Sequence, residues 1–153
     1  MTPARHTIDE VLQPFFAAQT AGKKGLTLRR IQEVERHLRN CSETESERVL
    51  IATDLAVLAA ERQFAPEGAV ARVMHADDLV FILAIFVQPE WQPVDPVQRR
   101  VQLRITEQLT ANLVRRRLVD RSSPACPIID IEVGVQRGRE EVRHQQRQAR
   151  VPF

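Results

Sequence analysis

Nine consecutive apolar residues, Leu79 to Val87, leave no polar face on a helix or a strand. Whatever this chain folds into must therefore surround them with other elements. In so short a run, periodicity does not separate a buried helix from a buried strand. Asp77 as a helix cap and the helical segments on either side favour a helix, which is the expected centre of the core. The run is far short of the roughly 20 residues that cross a bilayer, so no membrane partner is expected.

A chain of 153 residues has room for one domain, which would bury roughly two-thirds of its unfolded surface. With five Gly, six Phe, one Trp and no Tyr, the composition points away from a turn-rich, aromatic-rich β-sandwich and towards helix. Met1 to Gln13 holds a lone Arg5 followed by Asp9 and Glu10 and no apolar stretch, so no secretory signal is read there. Cys41 and Cys126 lie 85 positions apart with no CxxC spacing. They read as reduced thiols, and the expected location is cytoplasmic.

Apolar spacing sets out the remaining elements. Ile8, Val11, Leu12, Phe15 and Phe16 share one helical face. That predicts a first helix capped by Thr7, ending near Ala18 and kinked or delayed by Pro14. After the basic loop Thr20 to Gly25, Thr27 is the expected N-cap of a second helix running to about Asn40. Two overlapping capping boxes, Ser42 with Glu45 and Thr44 with Glu47, predict a third helix from about Glu45 to Gln63. Val97, Val101, Ile105, Leu109 and Leu113 predict a helix over about 97–119, bent or buried on more than one side. Ile129, Ile131, Val133 and Val135 alternate with polar residues or glycine, a strand signal. From Gln136 the chain is polar and arginine-rich, a helical or disordered tail. The expected fold is mainly α: a single-domain bundle of about five helices over 1–135, with a short strand or hairpin near its end and the tail 136–153 beyond.

Charge is segregated along the chain. Gly22 to Asn40 nets +4 and Pro96 to Arg121 nets +5, while Cys41 to Asp95 between them nets −7. Two basic helices are thus candidates for one electropositive surface, and nucleic acid is the commonest polyanion such a surface meets. Arg29 and Arg30 stand in the first turn of the second helix beside Lys23 and Lys24, where outward backbone N–H groups favour a phosphate. Arg115, Arg116 and Arg117 span about 200° of helix, so not all three can face one ligand.

Motifs for catalysis are missing. There is no GxSxG, GxxxxGK[ST], GxGxxG or HExxH. His75 with Asp77 and Asp78 comes nearest to a metal set, but acids at a helix start are better read as capping and dipole charges. Cys126, between Pro124 and Pro127, has no basic neighbour to activate it. Glu140 and Glu141, being adjacent, would point to different sides of a helix. No enzyme, cofactor or metal is expected.

IDEVLQPFFAAQ from Ile8, a short basic loop, and LTLRRIQEVERHLR resemble the opening helices of the core-binding, SAM-like domain of tyrosine recombinases and phage integrases. HADDLVFILAIF is similar to that domain's third helix, and QLTANLVRRRLVDRSSPA to its fourth helix and the ending that follows. The likeness spans Thr7 to Ala125. It departs from the family in a longer insertion, Ser42 to Val73, and in Arg117, which stands where a glycine is common. The resemblance implies that the second and fourth helices face the DNA major groove. With no Tyr in the chain, it implies binding without recombination. NLVRRRLVDRSSPACPIIDIEVG also resembles the end of a winged helix-turn-helix domain, with Leu118–Arg121 and Ile128–Val135 paired as the wing.

The expected function is non-catalytic binding of double-stranded DNA by helices 27–40 and 97–119. Its contact residues are Lys23, Lys24, Thr27, Arg29, Arg30, Arg36, Arg100, Arg104, Arg115 and Arg116. The alternatives are a winged-helix regulator and a protein-interaction or scaffold protein; a homodimer is a further expected partner, its basic helices meeting the acidic middle of another copy.

Overall fold

The computed structural model describes residues 5–120, 122 and 127–150. Among these, seven α-helices form one bundle: α1 (Ile8–Thr20), α2 (Gly25–Val49), α3 (Ala52–Phe64), α4 (Ala69–Val73), α5 (Ala76–Phe86), α6 (Pro96–Arg115) and α7 (Ile128–Ala149). A 3₁₀ turn, Pro89–Trp91, lies between α5 and α6. The chain is mainly α, as expected, but with seven helices rather than about five and no strand among the described residues. None of these helices is long and apolar enough to cross a membrane.

The apolar run is a helix and stands at the centre. Leu79, Val80, Ile82, Leu83 and Phe86 of α5 are buried, and α5 packs against α1, α2, α6 and α7. Its cap differs from expectation. His75 is the N-cap residue, and the Asp78 carboxylate accepts the His75 N–H at 3.1 Å. Asp77 instead takes both its contacts, at 2.9 and 2.8 Å, from the Arg5 guanidinium. Thr7 caps α1 as expected, accepting the Glu10 N–H at 3.1 Å. The residues leading into α1 and α5 bridge each other, Ile8 N–H to the Met74 carbonyl at 2.8 Å and Ala76 N–H to the His6 carbonyl at 3.0 Å.

Several boundaries move. The second helix starts at Gly25 behind Lys24 rather than at Thr27, and runs unbroken to Val49. The two capping boxes are thus inside it. Ser42 Oγ donates to the Leu38 carbonyl at 3.0 Å, so its hydroxyl serves the preceding turn and begins no new helix. The third helix consequently starts at Ala52, not near Glu45. α6 is buried on more than one side, as its four-residue apolar repeat predicts: Ile105, Leu109 and Leu113 on one flank, Leu103, Thr106 and Thr110 on another.

The predicted strand over 129–135 is the start of α7. Alternation there is accidental, because Ile129 and Val133 are 69% and 50% exposed. The buried set is Ile128, Ile131, Gly134, Val135, Gly138 and Val142, which repeats at helical spacing. Among the described residues no strand pairs with 118–120; Arg121 and Cys126 lie outside the described residues. The boundary expected at 135 falls inside α7, whose polar half stays helical as far as Ala149 and is buried at Gly138 and Val142.

Two backbone features fix this end of the molecule. A Cβ on Gly134 would come within 2.3 Å of Val87 Cγ2, and one on Gly138 within 2.9 Å of the Leu103 methyls. The two glycines let α7 lie against the end of α5 and along α6. At the end of α6, Arg117 has φ +56°. Its N–H bonds the Val114 carbonyl and the Leu118 N–H the Leu113 carbonyl, both at 3.0 Å, which is the two-bond Schellman closure glycine usually makes.

Gly134→Ala should therefore destabilise the protein. Overpacking against Val87 costs about 1–3 kcal/mol and offsets the ~1 kcal/mol that alanine gains in an exposed helix. Thermal denaturation should show Tm lowered by up to about 8 °C; an increase would mean that α7 does not approach this closely. At position 117 the expected order of Tm is Gly above Arg above Val, since a β-branched side chain is worst in a left-handed conformation. A Val variant as stable as Gly would contradict that conformation.

Candidate nucleic-acid interface

α6 begins at Pro96 behind Asp95, whose carboxylate accepts the Val97 N–H. From there its residues divide between two neighbours. Gln98 faces α2: its Nε2 donates to the Arg30 carbonyl at 2.9 Å, and its Oε1 accepts from the Arg30 guanidinium at 3.3 Å. Arg100 lies about 200° further round the helix. Arg100, Arg104 and Arg115, spaced by four and eleven residues, form one exposed stripe on that other side.

α7 runs antiparallel to α6 beneath this stripe. An Arg99–Glu141 ion pair joins the two helices, as does Arg139–Glu107 at 2.7 Å. Gln145 Nε2 also reaches the Val94 carbonyl at 3.2 Å. Between the helices lies a groove of about 570 Å³ lined by Val97, Arg100, Val101 and Arg104 from α6 and by Arg139, Val142, Arg143 and Gln146 from α7. A second hollow of about 320 Å³ continues along the seam, with Ala111, Val114, Ile131 and Val135 as its apolar wall and Arg115 and Arg139 at its edges. A third, of about 510 Å³ between α1 and α6, is bordered by Arg115 and Arg116.

The expected contact residues thus fall into two groups. Arg100, Arg104 and Arg115 stand together, with Arg116 beside them towards α1. Lys23, Lys24, Thr27 and Arg29 are exposed around the start of α2, on the α2 side of α6, so the two groups do not form one face. Arg30 is half-buried and committed to Asp95 at 2.9 Å, and that guanidinium holds the Asp95 carboxyl below its ordinary range. Arg36 is tied to Glu33 through its Nε at 3.0 Å. No acid stands within ion-pair distance of Lys23, Lys24, Arg29, Arg100, Arg104, Arg115, Arg116 or Arg143 among the described residues.

Arg139 and Arg143 are not among the ten expected contact residues because the chain from Gln136 reads as a polar, arginine-rich tail, of a kind that adds only nonspecific DNA affinity. The usable signal was Gly134 and Gly138 at a spacing of four with Ile131, Val135 and Val142, a helical face with room for close packing.

The residues weighed for catalysis are engaged elsewhere. Asp77 is bound by Arg5, and burial pushes the Asp78 carboxyl above its ordinary range while it caps α5. The hollow beside them takes in His75 and Asp77 but not Asp78. Burial, with Glu45 adding to it, pushes the Cys41 thiol up to about 12, which leaves it unreactive at neutral pH. No cluster of three or more His, Cys, Asp or Glu suited to a metal occurs among the described residues. No protein-family model matches the chain, and the searches of curated proteins and of solved structures likewise gave no match.

Proposed function

We propose that the protein binds DNA without catalysis, laying the duplex against the exposed side of α6 and the adjoining edge of α7. The observation that carries this reading is the stripe of Arg100, Arg104 and Arg115, three guanidiniums on one helix side with no acid partner among the described residues. Guanidiniums do not titrate in the physiological range, so the stripe is permanently cationic. Phosphate groups supply the missing counter-charge and release condensed cations as they do so. The left-handed Arg117, at the place where core-binding domains of integrases commonly have glycine, supports the resemblance on which the DNA expectation also rests.

A second reading, protein interaction, is favoured by α3. Its outer side exposes Val57 and the tip residue Phe64, the latter 88% exposed, within the acidic part of the chain. Light scattering at low and high salt separates the two readings, since salt-sensitive self-association without DNA affinity belongs to the second.

Fluorescence anisotropy with a mixed-sequence duplex at about 50 mM salt should give binding tighter than micromolar. Between about 50 and 200 mM salt the affinity should fall steeply, in proportion to the number of phosphates neutralised. No binding below micromolar concentration at low salt would sink the DNA reading.

A further inference from the structure

We propose that the α6–α7 groove holds the sugar-phosphate backbone of a single nucleic-acid strand between two opposed pairs of guanidiniums, Arg100 with Arg143 and Arg104 with Arg139. The inference rests on the DNA-binding reading and narrows it to one strand and four side chains. The register across the helix seam is set by Arg99 on Glu141 and Leu103 against Gly138, with Arg139 reaching along the seam to Glu107. Antiparallel helices in that register bring Arg100 opposite Arg143 and Arg104 opposite Arg139, and all four line one groove. Along each helix the two arginines are one turn, about 6 Å of rise, apart.

Four cations so placed repel one another. Like charges one turn apart weaken a helix, and Glu107 is the one acid paired with any of the four among the described residues. The arrangement is unfavourable until an anion with charges in a row enters. The groove floor is apolar, formed by Val97, Val101 and Val142. A phosphodiester chain matches both features, setting phosphates against the guanidiniums and sugar rings over the valines. A groove of about 570 Å³ between two helices in contact has room for a short stretch of one strand and not for a duplex. A duplex would present one of its strands to the groove mouth, and a free strand would enter fully. Since phosphate contacts carry no base information, binding is indifferent to sequence.

The test uses the whole chain with a single strand of about 20 nucleotides, the corresponding duplex, and vesicles containing about 30% anionic lipid. The single strand should bind at least as tightly as the duplex. The double variant Arg104→Ala/Arg143→Ala should lose roughly tenfold or more in affinity and reduce the salt slope by about 1.5, the share of two phosphates. Glu107→Gln, which releases Arg139, should tighten binding several-fold. Tm should stay level or rise in Arg104→Ala/Arg143→Ala, where repelling charges are removed, and stay level or fall slightly in Glu107→Gln, where one exposed ion pair is lost. If DNA binds but Arg104→Ala/Arg143→Ala changes neither affinity nor slope, while a Lys23→Ala/Lys24→Ala/Arg29→Ala variant abolishes binding, the groove is overturned and the DNA reading stands. A duplex held tenfold tighter than the single strand overturns the one-strand geometry. Binding of vesicles with neither nucleic acid bound overturns both readings.

Discussion

The burial of α5 is the constraint on which the other helices depend. Its run from Leu79 to Val87 has no side chain that prefers water, and each large apolar side chain buried contributes about 1.5–3 kcal/mol. Shielding it takes four partners, and α1, α2, α6 and α7 each turn an apolar stripe towards the centre. α7 brings only four apolar side chains to its buried face, Ile128, Ile131, Val135 and Val142. It succeeds because Gly134 and Gly138 remove the side chains that would hold it away from Val87 and Leu103.

With the inner faces committed to the core, charge is sorted on the outside. Many acids of the middle segment are matched across elements, Glu43 with Arg62, Glu61 with Arg72 and Asp95 with Arg30. Arg39 of α2 is likewise taken up by Asp9 and Glu35. Net charge per segment therefore overstates the free charge of α2, and the unpaired arginines are concentrated along the α6–α7 seam. Exposed ion pairs of this kind are worth at most about 1 kcal/mol each. Their effect is on where positive potential remains rather than on stability.

Much of the fold was legible in the chain. The apolar run, the Thr7 cap and the stripe of α1 appear where local chemistry puts them, and the helix expected from about 97 starts at Pro96. The errors share a cause. Ser42 and Thr44 offer capping chemistry, but Cys41 and Ser46 are buried on the inner side of α2, and tertiary burial kept the helix continuous. Ile129 to Val135 alternates perfectly, yet which of these residues is inside depends on α6 and Val87, partners far away in sequence. The site was half legible for the same reason. Arg100, Arg104 and Arg115 could be aligned from helical spacing alone. Their association with Arg139 and Arg143 depends on a helix whose docking is set by two glycines, and the separation of Arg29 from that stripe depends on which side of α6 meets α2.

The junction after α5 has a spectroscopic consequence. Trp91 is the sole tryptophan of a chain without tyrosine. Its indole N–H donates to Glu45 Oε1 at 3.1 Å, and its carbonyl accepts from Gln102 Nε2 and from His37 Nε2, both at 2.8 Å. A carbonyl has no hydrogen to give, so His37 carries its proton on Nε2, and its ring lies 5.2 Å from the indole and 5.5 Å from Phe86. One fluorophore thus reports on the meeting point of α2, α5 and α6, with an imidazole ring beside it. Ultraviolet emission of the native protein is a local gauge of that joint, free of background from any other residue.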